Sequence, residues 1–124
     1  MPMVSEAMQQ VGEYREEFNL ITGQSLPIGA IFQSDGLLKH IQKRHPDCVA
    51  DMVYIQDVIS SPDYIGSNPK EPDSVELVKV VADNLMVCIK LDRGAGYLYV
   101  ASFFKISNGK LANRLQSGRL IKII

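Results

Sequence analysis

A chain of 124 residues, 46% apolar and 22% charged, with a formal net charge of −1, is long enough for one hydrophobic core and too short for two ordinary domains. No run approaches the ~18 apolar residues that cross a bilayer, and the start Met1-Pro2-Met3-Val4-Ser5-Glu6 lacks the basic and apolar regions of a secretory signal. The chain as given reads as cytosolic and membrane-free, or as one domain of a longer exported protein.

From the N-terminus, Met8, Val11, Tyr14 and Phe18 recur at helical spacing behind Ser5 as N-cap, which predicts an amphipathic helix over residues 6–19. Residues 23–34 carry Gly23, Pro27, Gly29 and Ser34 and read as a loop. Leu37-Leu38-Lys39-His40-Ile41-Gln42-Lys43-Arg44-His45-Pro46 follows, holding both histidines of the chain and three cations. As a helix capped by Ser34 or Asp35, it puts Leu37, Leu38 and Ile41 on one apolar face, with His40, Lys43 and Arg44 at neighbouring i, i+3 and i+4 positions. Pro46 disfavours helical backbone at His45 and ends the helix there, with His45 on the apolar side.

Asp47 can cap a further helix through Ser60, with a core-facing stripe of Val49, Met52, Val53, Gln56 and Ile59. Residues 66–74, rich in Gly, Ser, Asn and Pro, have loop chemistry. Beyond them four strands are predicted, Val75–Ala82, Leu85–Leu91, Tyr97–Phe104 and Arg119–Ile124, rich in Val, Ile, Tyr and Phe. The first three are joined by the short turns Asp83-Asn84 and Asp92-Arg93-Gly94-Ala95-Gly96, which favour antiparallel hairpins. The segment Ser107–Gly118 reads as a polar connection. Helices followed by strands predict an α+β fold, with N-terminal helices packed on one face of a four-stranded antiparallel β-sheet.

The net charge conceals an asymmetry: the last acidic residue is Asp92, and Arg93, Lys105, Lys110, Arg114, Arg119 and Lys122 follow without an anion. Segregation of this kind suits a protein that binds a polyanion and stays soluble. Cys48 and Cys88 lack CxxC or CxxxH spacing and read as buried free thiols rather than as a metal site with His40 and His45. No metal or other cofactor is expected.

Metal-free RNA cleavage needs a base for the 2′-hydroxyl proton, an acid for the leaving 5′-oxygen, and cations for the charged phosphorane. His, Lys, Arg and Ser supply all of these, and two histidines would, if unperturbed, divide the acid and base roles near neutral pH. Ser102 interrupts the apolar strand Tyr97–Phe104 and by alternation shares a face with Leu98, Val100 and Phe104; its hydroxyl suits either a backbone bond or a phosphate contact. Lys90 ends the strand before it, where its amine can reach water or a phosphate.

The order Gly36-Leu37-Leu38-Lys39-His40-Ile41, Lys43-Arg44-His45-Pro46, Ser61-Pro62-Asp63-Tyr64-Ile65-Gly66, Tyr97-Leu98-Tyr99-Val100-Ala101-Ser102-Phe103 and Ser117-Gly118-Arg119-Leu120 resembles the phage and polymorphic-toxin nucleases of the barnase, EndoU, colicin and RelE type, over about residues 20–124. The resemblance implies N-terminal helices on a four-stranded antiparallel sheet and a metal-independent ribonuclease. It makes His40 the leading catalytic residue and Ser102 the second, followed by His45 and Lys90. Lys43, Arg44 and Arg119 would hold phosphate. RNA is then the partner, and the toxin relatives admit an immunity protein as another. Many relatives carry Thr before the strand serine where this chain has Ala101, which favours the alternative of a non-enzymatic phage-associated module that binds nucleic acid or protein.

Overall fold

The Val- and Ile-rich stretches at the centre of the chain build the middle of a sheet in the computed structural model, which describes residues 8–123. In chain order the elements are β1 (Met8–Tyr14), α1 (Glu16–Thr22), β2 (Gly29–Ser34), α2 (Asp35–Arg44), two 3₁₀ turns over residues 46–54, α3 (Ile55–Ser60), β3 (Tyr64–Gly66), β4 (Ser74–Val80), β5 (Asn84–Asp92), β6 (Tyr97–Ile106), α4 (Asn108–Ser117) and β7 (Leu120–Lys122). The strands form one sheet in the order β1-β2-β6-β5-β4-β3-β7. The fold is α+β, but the sheet has seven strands rather than four and is mixed, since β2 runs parallel to β6 through Ile31–Leu98 and Phe32–Tyr99.

The expected hairpins β4-β5-β6 are present and antiparallel. The expected N-terminal helix is not: residues 8–14 are an edge strand paired with β2, and its Ser5 cap lies outside the described residues. A register shift between Gln10 and Gly12 explains the misleading spacing. The bulge absorbs an extra residue, so Val11 and Tyr14, three positions apart, are both buried and imitate a helical period. Phe18 belongs to α1, its ring edge-on to that of Tyr14 at 5.3 Å.

The helix expected from Asp47 forms only from Ile55. The 3₁₀ turns before it repeat every 3.0 rather than 3.6 residues and change the phase, so Ile55, Val58 and Ile59 are buried while Val53 is 74% exposed. The segment 107–118 is α4 rather than a loop. The Ser107 hydroxyl caps it by accepting from Lys110 N at 3.1 Å, and Gly118 closes it at φ 83°, a left-handed conformation that favours glycine.

Two clusters divide the core by sheet face. Phe18, Leu37, Ile41 and Ile59 from α1, α2 and α3 pack with Val75, Leu77, Val87, Ile89 and Phe103. Val78, Met86, Ile106 and Leu111 of α4 form the second cluster, and these strand residues alternate with the first set, so α4 covers the opposite face. The helices therefore flank both faces, in place of the one expected. Burying an Ile or Phe side chain fully stabilises by roughly 1.5–3 kcal/mol, and the first cluster supplies most of that burial.

β3 and β7 extend the sheet past β4, through an approach that only glycine allows. A Cβ on Gly66 would stand 1.6 Å from the Arg119 carbonyl oxygen. The consequence is positional: Arg119, just before β7, is brought beside β4.

Candidate active site

The second face of the sheet reads as rows of cross-strand partners. Ser74 pairs with Lys90, and Lys90 with Tyr99; Glu76 pairs with Cys88, and Cys88 with Ser102; Val78 pairs with Met86, and Met86 with Phe104. Ser102 joins this face because of a register shift in β6: Cys88 pairs with Ser102 while Ile89 pairs with Val100, leaving Ala101 as the extra residue. Simple alternation, which grouped Ser102 with Leu98 and Val100, fails there. Leu98, Val100 and Phe103 face the first core, and Ser102 and Phe104 turn the other way.

β2 leaves β6 after two paired residues, and α2 packs against β6 in its place. Leu37 and Ile41 anchor the helix in the core, so its exposed His40 leans over the strand. His40 Nε2 and Ser102 Oγ are 3.2 Å apart; the serine donates to a neutral ring nitrogen or accepts from a protonated one. His45, the C-cap of α2, stacks on the Phe104 ring at a centroid distance of 4.8 Å and stands 6.0 Å from the His40 ring. Burial, then the nearby His40 charge, lowers the pKa of His45 and favours its neutral form.

A cleft of about 730 Å³ opens on this face, and its lining includes His40, Arg44, His45, Lys90, Ser102 and Arg119. The structure thus brings together six of the seven residues singled out in the sequence. Lys43 is not among the lining residues; it is exposed on α2.

The floor contains residues that sequence reasoning passed over. The Glu76 side chain, 4% exposed, accepts from Arg119 Nε at 2.9 Å and Nη2 at 2.8 Å, and Arg114 Nη1 stands 3.9 Å from the same carboxylate. A carboxylate inside the apolar run Val75-Glu76-Leu77-Val78 was the readable signal, since such a residue is buried only when paired. Arg114 comes from α4, positioned by Asn84, whose buried amide donates to Ile106 O at 3.1 Å and Asn108 Oδ1 at 2.8 Å. The Cys88 thiol is pushed up to about 12, by burial first and then by Glu76, so it is an inert thiol here.

Lys90 at the cleft wall is bonded to Glu71 at 2.8 Å, which raises its pKa and keeps it cationic. Glu71 sits in the β4-proximal loop, held by Ser74 Oγ donating to Glu71 O at 2.6 Å. Four of the six C-terminal cations are paired: Arg93 with Asp73, Lys105 with Asp51 and Asp83, and Arg114 and Arg119 with Glu76. For these four the sequence separation of charge is undone in space, while Lys110 and Lys122 are exposed.

The family model described as phage-Barnase-EndoU-ColicinE5/D-RelE like nuclease3 matches residues 9–113. The chain belongs to this nuclease family. Membership supports nuclease as the general class of function, and the matched residues include His40, His45, Lys90 and Ser102 while ending before Arg114 and Arg119. Comparison with the curated proteins and with the solved structures gave no match. Among the described residues, no group of three or more His, Cys, Asp and Glu side chains is placed to hold a metal ion, and no helix is long and apolar enough to cross a membrane.

Proposed function

We propose that this nuclease is an endoribonuclease that cleaves RNA by attack of a 2′-hydroxyl on the adjacent phosphate, using histidine rather than a metal for proton transfer. The observation that carries the reading is the convergence of His40, His45, Ser102, Lys90 and Arg119 on one cleft. Their donor set supplies base, acid and phosphate charge together.

His45, held toward its neutral form, takes the proton from the 2′-hydroxyl. The 2′-oxygen then bonds to phosphorus, the bond from phosphorus to the 5′-oxygen breaks, and protonated His40 delivers a proton to that oxygen. The products are a 2′,3′-cyclic phosphate and a 5′-hydroxyl. Ser102 fixes the His40 ring and offers its hydroxyl to the phosphate. Arg119 spends Nε and Nη2 on Glu76 and, with five N–H donors in all, keeps others for a phosphate oxygen. Lys90 and Arg44 complete the cationic wall.

Purified protein incubated with mixed tRNA and rRNA in EDTA, from about pH 5 to 8, should yield fragments ending in 2′,3′-cyclic phosphate. Intact RNA at micromolar protein across that range would sink the reading and leave a binding module on the same fold. Affinity for uncleavable RNA should fall steeply with salt, with a log–log slope of about −0.7 per phosphate contacted.

A further inference from the structure

A second cavity, of about 650 Å³, opens beside the first between the end of α1, the loop after β3, and the α4–β7 connection. Arg114 and Arg119 contribute to the lining of both cavities, so these two residues form the boundary, or partition, that the cavities share. We infer that this second cavity is a nucleotide subsite, taking the neighbour of the nucleotide whose phosphate reacts in the main cleft. The identity of the strand as RNA rests on the function proposed above; the subsite itself rests on the geometry of the partition.

Three features fit that occupant. The volume falls in the ~300–1,000 Å³ range of small-molecule cavities. Ile21, Pro69 and Ile121 give apolar surface against which a base can lie, and Ile121 is 44% exposed with nothing covering it among the described residues. Asn113 and Ser117 on α4 add hydrogen-bonding groups for a base edge or a ribose, and among the described residues no carboxylate lines the cavity. The two arginines are thus its only charges among the described residues, of the sign a phosphodiester needs. Both already pair with Glu76, and a strand crossing from one cavity to the other brings its connecting phosphate to the N–H donors that this pairing leaves.

Glu76 makes the partition rigid. It holds Arg119 by two bonds from the far side of the guanidinium, so the remaining donors are fixed in direction before a strand arrives.

The test uses fluorescein-labelled oligonucleotides two and three residues long with 2′-O-methyl on every sugar, which cannot be cut by 2′-hydroxyl attack. Fluorescence anisotropy should show the trimer binding wild-type protein roughly tenfold more tightly than the dimer, a difference of about 1.4 kcal/mol. In Ile121→Asp, which sets a carboxylate in the cavity on an exposed edge-strand position, the trimer-to-dimer ratio should fall to about one. Asn113→Ala, on the exposed face of α4, should lower the ratio as well and serves if the first variant fails to fold. An equal gain in wild type and both folded variants, or no gain in wild type, overturns the subsite. Cleavage of unmodified RNA is read in parallel. Binding with a length gain but no cleavage removes the ribonuclease reading and leaves a nucleic-acid subsite, while cleavage without the gain removes the subsite alone.

Discussion

Glu76 and Arg119, forty-three positions apart in the chain, meet through two hydrogen bonds of 2.9 and 2.8 Å beneath the cleft. The carboxylate is nearly inaccessible and the guanidinium partly open, which leaves one side of the arginine for a ligand. The pairing also raises the Arg119 pKa, through the hydrogen bond to Glu76, so its charge is permanent.

Breaking such a pair from the buried side is costly, because two arginines would be left facing the apolar floor. Glu76→Ala should destabilise the protein by about 3 kcal/mol, the low end of the range for a buried ion pair since Arg119 can reach water. Urea unfolding measures it. A loss below ~1 kcal/mol would show that the pair is solvated in solution.

His40 is exposed, and its contacts are a hydrogen bond to Ser102 and an edge-on approach to the His45 ring, so its removal tests chemistry at little cost to folding. His40→Ala should retain the wild-type melting temperature and lose about 10²–10⁴-fold in RNA cleavage. Ser102→Ala should lose less, since it removes a ring partner and a phosphate contact but not the proton carrier. Unaltered cleavage in His40→Ala would take this histidine out of the reaction.

The lowered pKa of His45 has a consequence for stability. In the unfolded chain the ring titrates near ~6.5, so as pH falls through that value the unfolded state takes up a proton that the folded state resists. The contribution of this group is complete above about pH 6.5 and is lost as pH drops toward the folded value. His45→Phe, which keeps the stacking on Phe104, should therefore flatten the loss of stability between about pH 7 and 5 relative to wild type. Parallel urea curves with the same pH slope in both proteins would contradict it.

Gly66→Ala forces a Cβ into the Arg119 backbone. Neither side of that contact is a flexible side chain, so β3 and β7 must separate, at a cost of about 3 kcal/mol or more. The same change should weaken RNA binding, because Arg119 enters the cleft through that pairing. Stability loss with unchanged RNA affinity would mean that β7 does not set the position of Arg119.

What could be read from the chain alone follows its local signals. The β4-β5-β6 hairpins are legible because their apolar runs are β-branched and their turns short. The helix bearing His40 is legible from its apolar stripe and from Pro46. β1 is misread because a bulge gives a strand the spacing of a helix, and β2 because its six residues from Gly29 to Ser34 are held by distant partners, antiparallel to β1 and parallel to β6 over two residues, and leave little local trace. α4 carries few apolar residues, since only Leu111 is buried, and its cap was the usable sign. The single-residue shift at Ala101 changes the face of Ser102, and no periodicity within β6 announces it.

The sequence by itself determined the chemistry on hand: one histidine on a short helix and a second at its end, a serine in an apolar strand, and a lysine at the end of its neighbour. Local hydrogen bonding and side-chain spacing suffice for that, because each element is short and nearly continuous. Only the tertiary structure decided that these groups share a cleft, that Arg114 and Arg119 reach it, and that Glu76 holds them. Those relationships are set by strand order, by a bulge and by a glycine contact, all of which depend on residues far apart in the chain.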